Sequence, residues 1–260
     1  MNIVVLVKQV PDSGSERNLR ADDKTVDRAS ASNIINEMDE YAIEEALRIK
    51  EAQGDGEITL LTMGPAAATE SIRKALSMGP DKAVHVLDDA LHGSCALATS
   101  KVLAAALRTL GADLIIAGAE STDGRVQVMP HMLAERLGIA ALTGARKLTV
   151  DGSTLTIERQ TDEGYEVVTA STPAVVSVWD TINEPRYPSF KGIMAAKKKP
   201  VQTLTLADLG ISADEVGFAG ATSAVVESAK RPPRQAGTKA ADSGEGGVQL
   251  VDFLAAERFV

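Results

Sequence analysis

Residues 57–87 read EITLLTMGPAAATESIRKALSMGPDKAVHVL, and this stretch decides the fold class. Glu57–Met63 is a short apolar run rich in Ile, Leu and Thr, stopped by Gly64-Pro65. That is the pattern of a buried strand. Ala67 to Met78 then suits a helix, closed by Gly79-Pro80. Ala83–Leu87 (AVHVL) is a second apolar run. Strand, helix and strand within about 30 residues make a crossover unit, which requires parallel strands.

The same alternation extends in both directions. Ile3–Val7 reads as a buried strand ended by Pro11. Asn36 to Glu51 carries Ala42, Ala46, Leu47 and Ile49 near a helical period, with Asn36 or Asp39 as the cap. Ser94 to Leu110 is an Ala-rich helix ended by Gly111. Asp113–Ala117 (DLIIA) is a fourth strand, followed by a Gly-containing loop and a helix from Pro130 to Leu137. The expectation is a Rossmann-like α/β fold: a mostly parallel sheet with helices on both faces and a ligand at the carboxyl ends of the strands. From Arg146 the pattern changes. Lys147–Val150, Leu155–Arg159 and Tyr165–Thr169 alternate around Asp151-Gly152 and Asp162-Glu163-Gly164, which are hairpin signals. Ala174–Trp179 follows Pro173 as another buried strand. An antiparallel hairpin addition is therefore expected on the sheet.

Composition excludes several function classes. The 260 residues carry 27 Lys and Arg against 36 Asp and Glu, a net charge of −9. This argues against nucleic-acid and anionic-membrane binding. Aromatics are only 3%, too few for a base-stacking surface. A single cysteine, Cys95, and three histidines, His85, His92 and His131, predict neither a disulfide framework nor a metal site. MNIVVLVKQVPD lacks the basic start and cleavage site of a signal peptide, and no apolar run suits a membrane span. A reduced, soluble, cytoplasmic protein without membrane insertion is expected.

No nucleophile–base pair, Walker A loop or GxGxxG fingerprint is visible. His85 within AVHVL reads as a strand residue, and Cys95 as a small packing residue. Two stretches stand out. Gly118-Ala-Glu-Ser-Thr-Asp-Gly-Arg-Val-Gln127 is a long polar loop between strand and helix. It is either an anion cradle with Arg125 as charged contact or an ordinary solvated loop. Asn183 to Lys199 (NEPRYPSFKGIMAAKKK) sets Phe190, Ile193 and Met194 beside a lysine run. It is either a docking loop for acidic partners or a solvated linker.

Beyond Pro200 the composition loosens. Residues 229–247 are rich in Pro, Gly, Ser and charge, and Val248 to Val260 returns to an apolar helical pattern. The expected division is an α/β nucleotide-binding domain over 1–199, ending in the loop 183–199, and an extended C-terminal arm over 200–260. The terminal helix would dock on its own core or on a partner.

Together these segments resemble the β subunit of electron transfer flavoprotein. VLVKQVPD, NEMDEYAIEEALRIKE, the TMGP turn and ALSMGPDKAVHV stand in family order. The family's signature is matched by Ile157-Glu-Arg159-Gln-Thr-Asp162-Glu163-Gly164-Tyr-Glu166-Val-Val168 and by Pro173-Ala-Val175-Val176-Ser177. NEPRYPSF…IMAAKKKP resembles its recognition loop, and Pro232-Pro233-Arg234-Gln235-Ala236-Gly237 a late tail motif.

The resemblance implies a heterodimeric electron carrier with no catalytic residues of its own. It would take electrons from flavin dehydrogenases, such as the acyl-CoA dehydrogenases of fatty acid oxidation, towards electron transfer flavoprotein–quinone oxidoreductase. FAD would be held mainly by the α subunit, and a structural AMP by this chain. By position, AMP contacts fall on Leu6, Asn36, Glu37, Met38, Asp39 and Met63, and on Gly118, Ser121, Thr122, Asp123, Gly124, Arg125, Val126 and Gln127. The recognition loop would present Tyr187, Phe190, Ile193, Met194, Lys197 and Lys198, with Phe190 as anchor. Two departures stand out. The relatives' Asp-Gly-x-Thr-Gly-Gln is here Asp123-Gly124-Arg125-Val126-Gln127, with Arg125 in compensation. Where some relatives place a Tyr near the flavin, this chain has Ser13. The alternatives are an electron-bifurcating member with FAD in the β site, and a stand-alone adenine-nucleotide-binding or ATP-hydrolysing protein.

Overall fold

Alternation of side chains along the first strand builds the sheet's two faces. In β1 (Asn2–Leu6), Ile3 and Val5 point one way and Val4 and Leu6 the other, and all four are buried. A strand buried on both sides needs helices on both sides. The computed structural model describes residues 1–260 except 235 and 238, so Gln235 of the tail motif lies outside the described residues.

After β1 come the short β2 (Gln9–Pro11) and β3 (Asn33–Ile35), which pair with each other as a separate antiparallel ribbon. The main elements follow: α1 (Glu37–Gln53), β4 (Glu57–Met63), α2 (Ala68–Met78), β5 (Lys82–Val86), α3 (Ala96–Leu110), β6 (Leu114–Gly118) and α4 (Met129–Leu137). Then come β7 (Ala140–Asp151), β8 (Thr154–Thr161), β9 (Gly164–Ser171), β10 (Ala174–Val178), α5 (Phe190–Ala196) and β11 (Val201–Leu204). The main sheet has nine strands in the order β11-β5-β4-β1-β6-β10-β7-β8-β9. Neighbours from β11 to β7 are parallel, and only β7–β8 and β8–β9 are antiparallel. The α/β class, the parallel sheet and the antiparallel addition all match the expectation.

One face packs Ile3, Val5, Ile58, Leu60, Leu114 and Val176 against Ala42, Ile43 and Ala46 of α1 and Ile72, Ala75 and Leu76 of α2. The other packs Val4, Leu61, Val84, Ile115 and Val175 against Val102, Leu103 and Leu107 of α3 and Leu133 of α4. Each such fully buried aliphatic side chain contributes about 1.5–3 kcal/mol of transfer free energy.

Three boundaries differ from the sequence reading. β7 begins at Ala140 rather than near Lys147, because its first half is a parallel partner of β10 and only its second half joins the hairpin. The stretch 183–199 is not all loop. Ser189 accepts a hydrogen bond from the Gly192 amide at 3.0 Å and so caps α5. The body does not end at Lys199 either. Val201–Leu204 pairs with β5 as an edge strand, and Leu206, Ile211 and Val216 are buried in the same core as α3. The compact unit runs from Met1 to Val226. The second unit, Glu227–Val260, contains α6 (Gly246–Ala256), which carries Val248, Leu250, Val251 and Phe253 exposed.

Candidate functional site

Strand order places the site. β1 pairs with β4 on one side and β6 on the other, so the chain reverses its winding direction between β1 and β6. In such sheets the loops at the carboxyl ends diverge there and leave a crevice. Leu6 to Lys8 leaves β1, and the loop 118–127 leaves β6 into the same place.

Close approach is possible because residue 118 is glycine. A Cβ there would lie 2.6 Å from Met38 Cβ and 2.9 Å from the Met38 carbonyl carbon. The first turn of α1 thus sits directly on the end of β6. Asn36, 1% exposed, uses this contact to grip the loop. Its Nδ2 donates to the Glu120 carbonyl at 2.8 Å and to Asp39 Oδ1 at 2.9 Å, and its Oδ1 accepts from the Thr122 amide at 3.0 Å. Asp39 Oδ2 in turn accepts from the Lys8 amide at 2.8 Å. Burial pushes the Asp39 carboxyl up to about 7, against the donors from Asn36, Lys8 and Gly118.

Charge completes the frame. The Asp123 carboxylate is buried between two cations, Lys8 Nζ at 2.7 Å and Arg28. Burial alone would raise its pKa, but Lys8, Arg28 and the Ser121 hydroxyl hold it down at about 2. Lys8 Nζ also donates to Ser121 Oγ at 3.1 Å, and Arg17 donates to the Thr122 carbonyl at 2.6 Å. Glu120 accepts from Gln127 Nε2 at 2.6 Å and lies 4.0 Å from Arg125. Arg125 and Gln127 have φ of 48° and 57°, left-handed values that cost a non-glycine residue about 1–2 kcal/mol each. That cost is met by the anchored ends of the loop.

Two features orient an anion here. The first turn of α1 contains Glu37, Asp39 and Glu40, so that helix end repels negative charge. The first turn of α4 contains no acidic residue, its N-cap Val128 makes no side-chain cap, and Arg125 lies just before it. The α4 end is therefore the one that favours an anion. In addition, the Thr122 hydroxyl is buried without a hydrogen-bond partner among the described residues. A buried hydroxyl left unpaired is costly, and a bound polar group would satisfy it.

The structure thus brings Leu6, Asn36 to Asp39 and Gly118 to Gln127 to one crevice, with Met63 ending the adjacent strand β4. Asn36 and Asp123 are committed to holding the loop. Lys8, Arg17 and Arg28 were missed. Lys8 could have been found as a lone cation just past a buried strand. Arg28, 95 residues from Asp123, carried no local signal. His85 is buried, with its Nε2 2.9 Å from the Gly64 carbonyl, and burial lowers its pKa. Among the described residues no cluster of His, Cys, Asp and Glu is placed to hold a metal ion, and no helix is long and apolar enough to cross a membrane.

The second predicted site lies on α5 and the turn before it. Tyr187 is 95% and Phe190 80% exposed, with Ile193 and Met194 about half exposed beside them. Lys197 and Lys198 are exposed at the end of the helix. The helix beneath this patch is held rigidly. Gly192 lies so close to α2 that a Cβ would be 2.5 Å from the Ser77 carbonyl oxygen. Arg73 donates to the carbonyls of Ala196 and Lys199 at 2.8 and 2.7 Å. Arg186 is fixed to α1 by Glu44 and Glu51. An exposed apolar cluster on a braced support is the form of a docking surface.

The sequence profile of the electron transfer flavoprotein domain matches residues 23–209. The chain is 53% identical to the electron transfer flavoprotein subunit beta of Mycobacterium tuberculosis, over 100% of this chain and 99% of that one. It is 53% identical to that of Mycobacterium leprae with the same coverage. It is 35% identical to that of Megasphaera elsdenii over 100% of both chains.

Proposed function

This chain belongs to the electron transfer flavoprotein family, as a subunit of the beta type, and from that premise we propose that it is the adenylate-holding half of a heterodimeric electron carrier. An α subunit would complete it and hold most of the FAD. Dehydrogenases with bound flavin would deliver electrons, and a quinone oxidoreductase would receive them.

One observation carries the adenylate reading: a polar loop at the switch point of the sheet, pre-shaped by Asn36 and Asp123, with the buried Thr122 hydroxyl unsatisfied. A ligand with a phosphate and a sugar fits these donors. Leu6, Met38 and Met63 would supply apolar surface for a base. Thr122, Arg125 and the amides before α4 would hold the phosphate, and Gly118 lets the loop come close. AMP bound there supplies no chemistry; it fills and stiffens the loop.

FAD, when bound, supplies the redox chemistry, in one- or two-electron steps. This chain's own part is to shape the crevice, exclude water from it and present α5 to a dehydrogenase. Phe190 would enter a pocket on that partner, with Ile193 and Met194 around it and Lys197 and Lys198 attracting acidic residues at the rim.

Purification of the tagged chain with its co-expressed α subunit tests this. Nucleotides released by denaturation are separated and identified by mass. One FAD and one AMP per heterodimer are expected. Two FAD and no AMP would move the β site to the bifurcating class, and a chain that carries no nucleotide and binds no second subunit would end the proposal.

A further inference from the structure

The segment between β2 and β3 is an outlier in how it is held. None of residues 12–32 is buried, so the segment has no core of its own. It folds back on itself as a loose hairpin. The Arg20 amide donates to the Thr25 carbonyl at 2.8 Å, the Asp27 amide to the Asn18 carbonyl at 2.9 Å, and Leu19 bridges Val26. Its base is closed by the Asp12 amide donating to the Ser32 carbonyl at 2.8 Å.

What attaches it to the body is polar. Arg28 pairs with Asp123, Arg17 donates to the Thr122 carbonyl at 2.6 Å, and Ser13 donates to Glu37 at 3.0 Å. At the tip, Asp23 lies 2.7 Å from His92 Nε2. Three of these four ties end on the rim of the adenylate crevice, and two end on consecutive residues of its loop. The loop itself is anchored separately and more deeply, through Asn36.

Exposed ion pairs hold weakly, and elements that bury little apolar surface open locally long before the domain unfolds. The Asp123 carboxylate is the exception among these groups, because its side chain is only 2% exposed while Arg28 is about a third exposed. It is a fixed post to which an exposed segment fastens.

We propose that residues 12–32 form a strap that opens and closes over the adenylate loop, fastened shut by Arg28 on Asp123, so that ligand retention depends on residues that need not touch the ligand. This rests on the adenylate reading above and deepens it. Arg28 is a positioning residue here. A ligand that fills the loop and engages Thr122 fixes residues 122 and 123, and so favours the closed strap by mass action.

The strap contains Arg17, Arg20, Lys24 and Arg28, so trypsin reads its opening directly. The full-length chain, with any subunit that co-purifies, is first stripped and tested for AMP binding, then digested with and without saturating AMP. AMP is expected to slow cleavage within 12–32 by about tenfold or more while sites elsewhere change little. Arg28→Gln is expected to speed AMP release about tenfold with unchanged circular dichroism, and Arg28→Lys to restore most of the retention. A wild-type chain that binds AMP yet is cleaved equally in its presence overturns the strap alone, as does AMP release from Arg28→Gln at the wild-type rate. A wild-type chain with no affinity for AMP overturns the adenylate reading, and the strap with it. The protection measurement needs no variant, so it decides even if Arg28→Gln fails to fold.

Discussion

The Arg186 guanidinium holds Glu44 through two separate contacts, Nε to Oε2 at 2.7 Å and Nη2 to Oε1 at 3.0 Å. Glu44 lies on α1 with only 4% of its side chain exposed, while Arg186 leads into α5. The planar fork is the geometry in which an arginine–carboxylate pair is worth most. It ties the exposed apolar patch to the helix whose first turn supports the loop 118–127.

Arg186→Ala should therefore destabilise the fold by about 1–2 kcal/mol, less than loss of a partner in a fully buried pair because Arg186 is about a third exposed. Burial by itself would raise the Glu44 pKa, and Arg186 holds it below the ordinary value. A depressed carboxylate contributes stability that is fully present above its unfolded pKa, about 4.3, and is lost as the pH falls through the folded value. Thermal melts should show the full deficit of the variant at pH 7 and a shrinking one below about pH 4. A deficit that does not change with pH would mean that the arginine acts by packing alone.

Asp39 should give the opposite slope. Its carboxyl is raised to about 7 by burial, so the folded chain binds a proton that the unfolded chain has already released. Stability from this group is present at low pH and declines as the pH rises from about 4 towards 7, then levels off. Asp39→Asn cannot titrate. Its penalty relative to the wild type should be largest at or below about pH 4 and smallest above pH 7. Urea unfolding at several pH values measures the difference, and parallel curves would contradict it.

These two carboxylates also mark what was legible in the sequence. The parallel core was readable because Gly64, Gly79 and Gly111 punctuate apolar runs of strand and helix length. The crevice was readable because a polar loop followed the buried run Asp113–Ala117. The edge strand β11 was not. Val201-Gln-Thr-Leu204 is too short to carry a period, and its partner, Ala83–Val86, lies more than a hundred residues earlier. Arg28 and Asp123 were unreadable as a pair for the same reason: attraction between side chains depends on distance in space, and the sheet sets that distance. α5 was hidden by Pro185 and Pro188, which end extended structure but allow a capped helix to begin at Phe190.

Gly118→Ala tests the close packing under the loop. The added methyl would sit 2.6 Å from Met38 Cβ and 2.7 Å from Asp39 Oδ1, and the helix backbone behind them cannot move freely. A loss of about 1–3 kcal/mol is expected, with displacement of the Asn36 contacts to Glu120 and Thr122. The chain should also lose retained nucleotide. A melting temperature within a degree of the wild type would show that α1 can shift, and would remove the argument that residue 118 must be glycine.

Phe190→Ala separates docking from folding. The side chain is 80% exposed, so its removal takes away little buried surface, and the melting temperature should stay within a degree or two. The helix beneath it depends on Ser189, Gly192 and Arg73 and should remain in place. If Phe190 is the anchor of the docking surface, its loss should cost at least about 2 kcal/mol of binding, roughly thirtyfold in the half-saturating concentration for a flavin dehydrogenase. Flavin content and subunit association should be unchanged, because the patch projects from α5, away from the crevice at the ends of β1 and β6. Reduction of the carrier by a dehydrogenase, followed by absorbance at increasing carrier concentration, gives the number. Unchanged half-saturation would assign docking to another surface, and loss of flavin together with coupling would show that α5 belongs to the subunit interface instead.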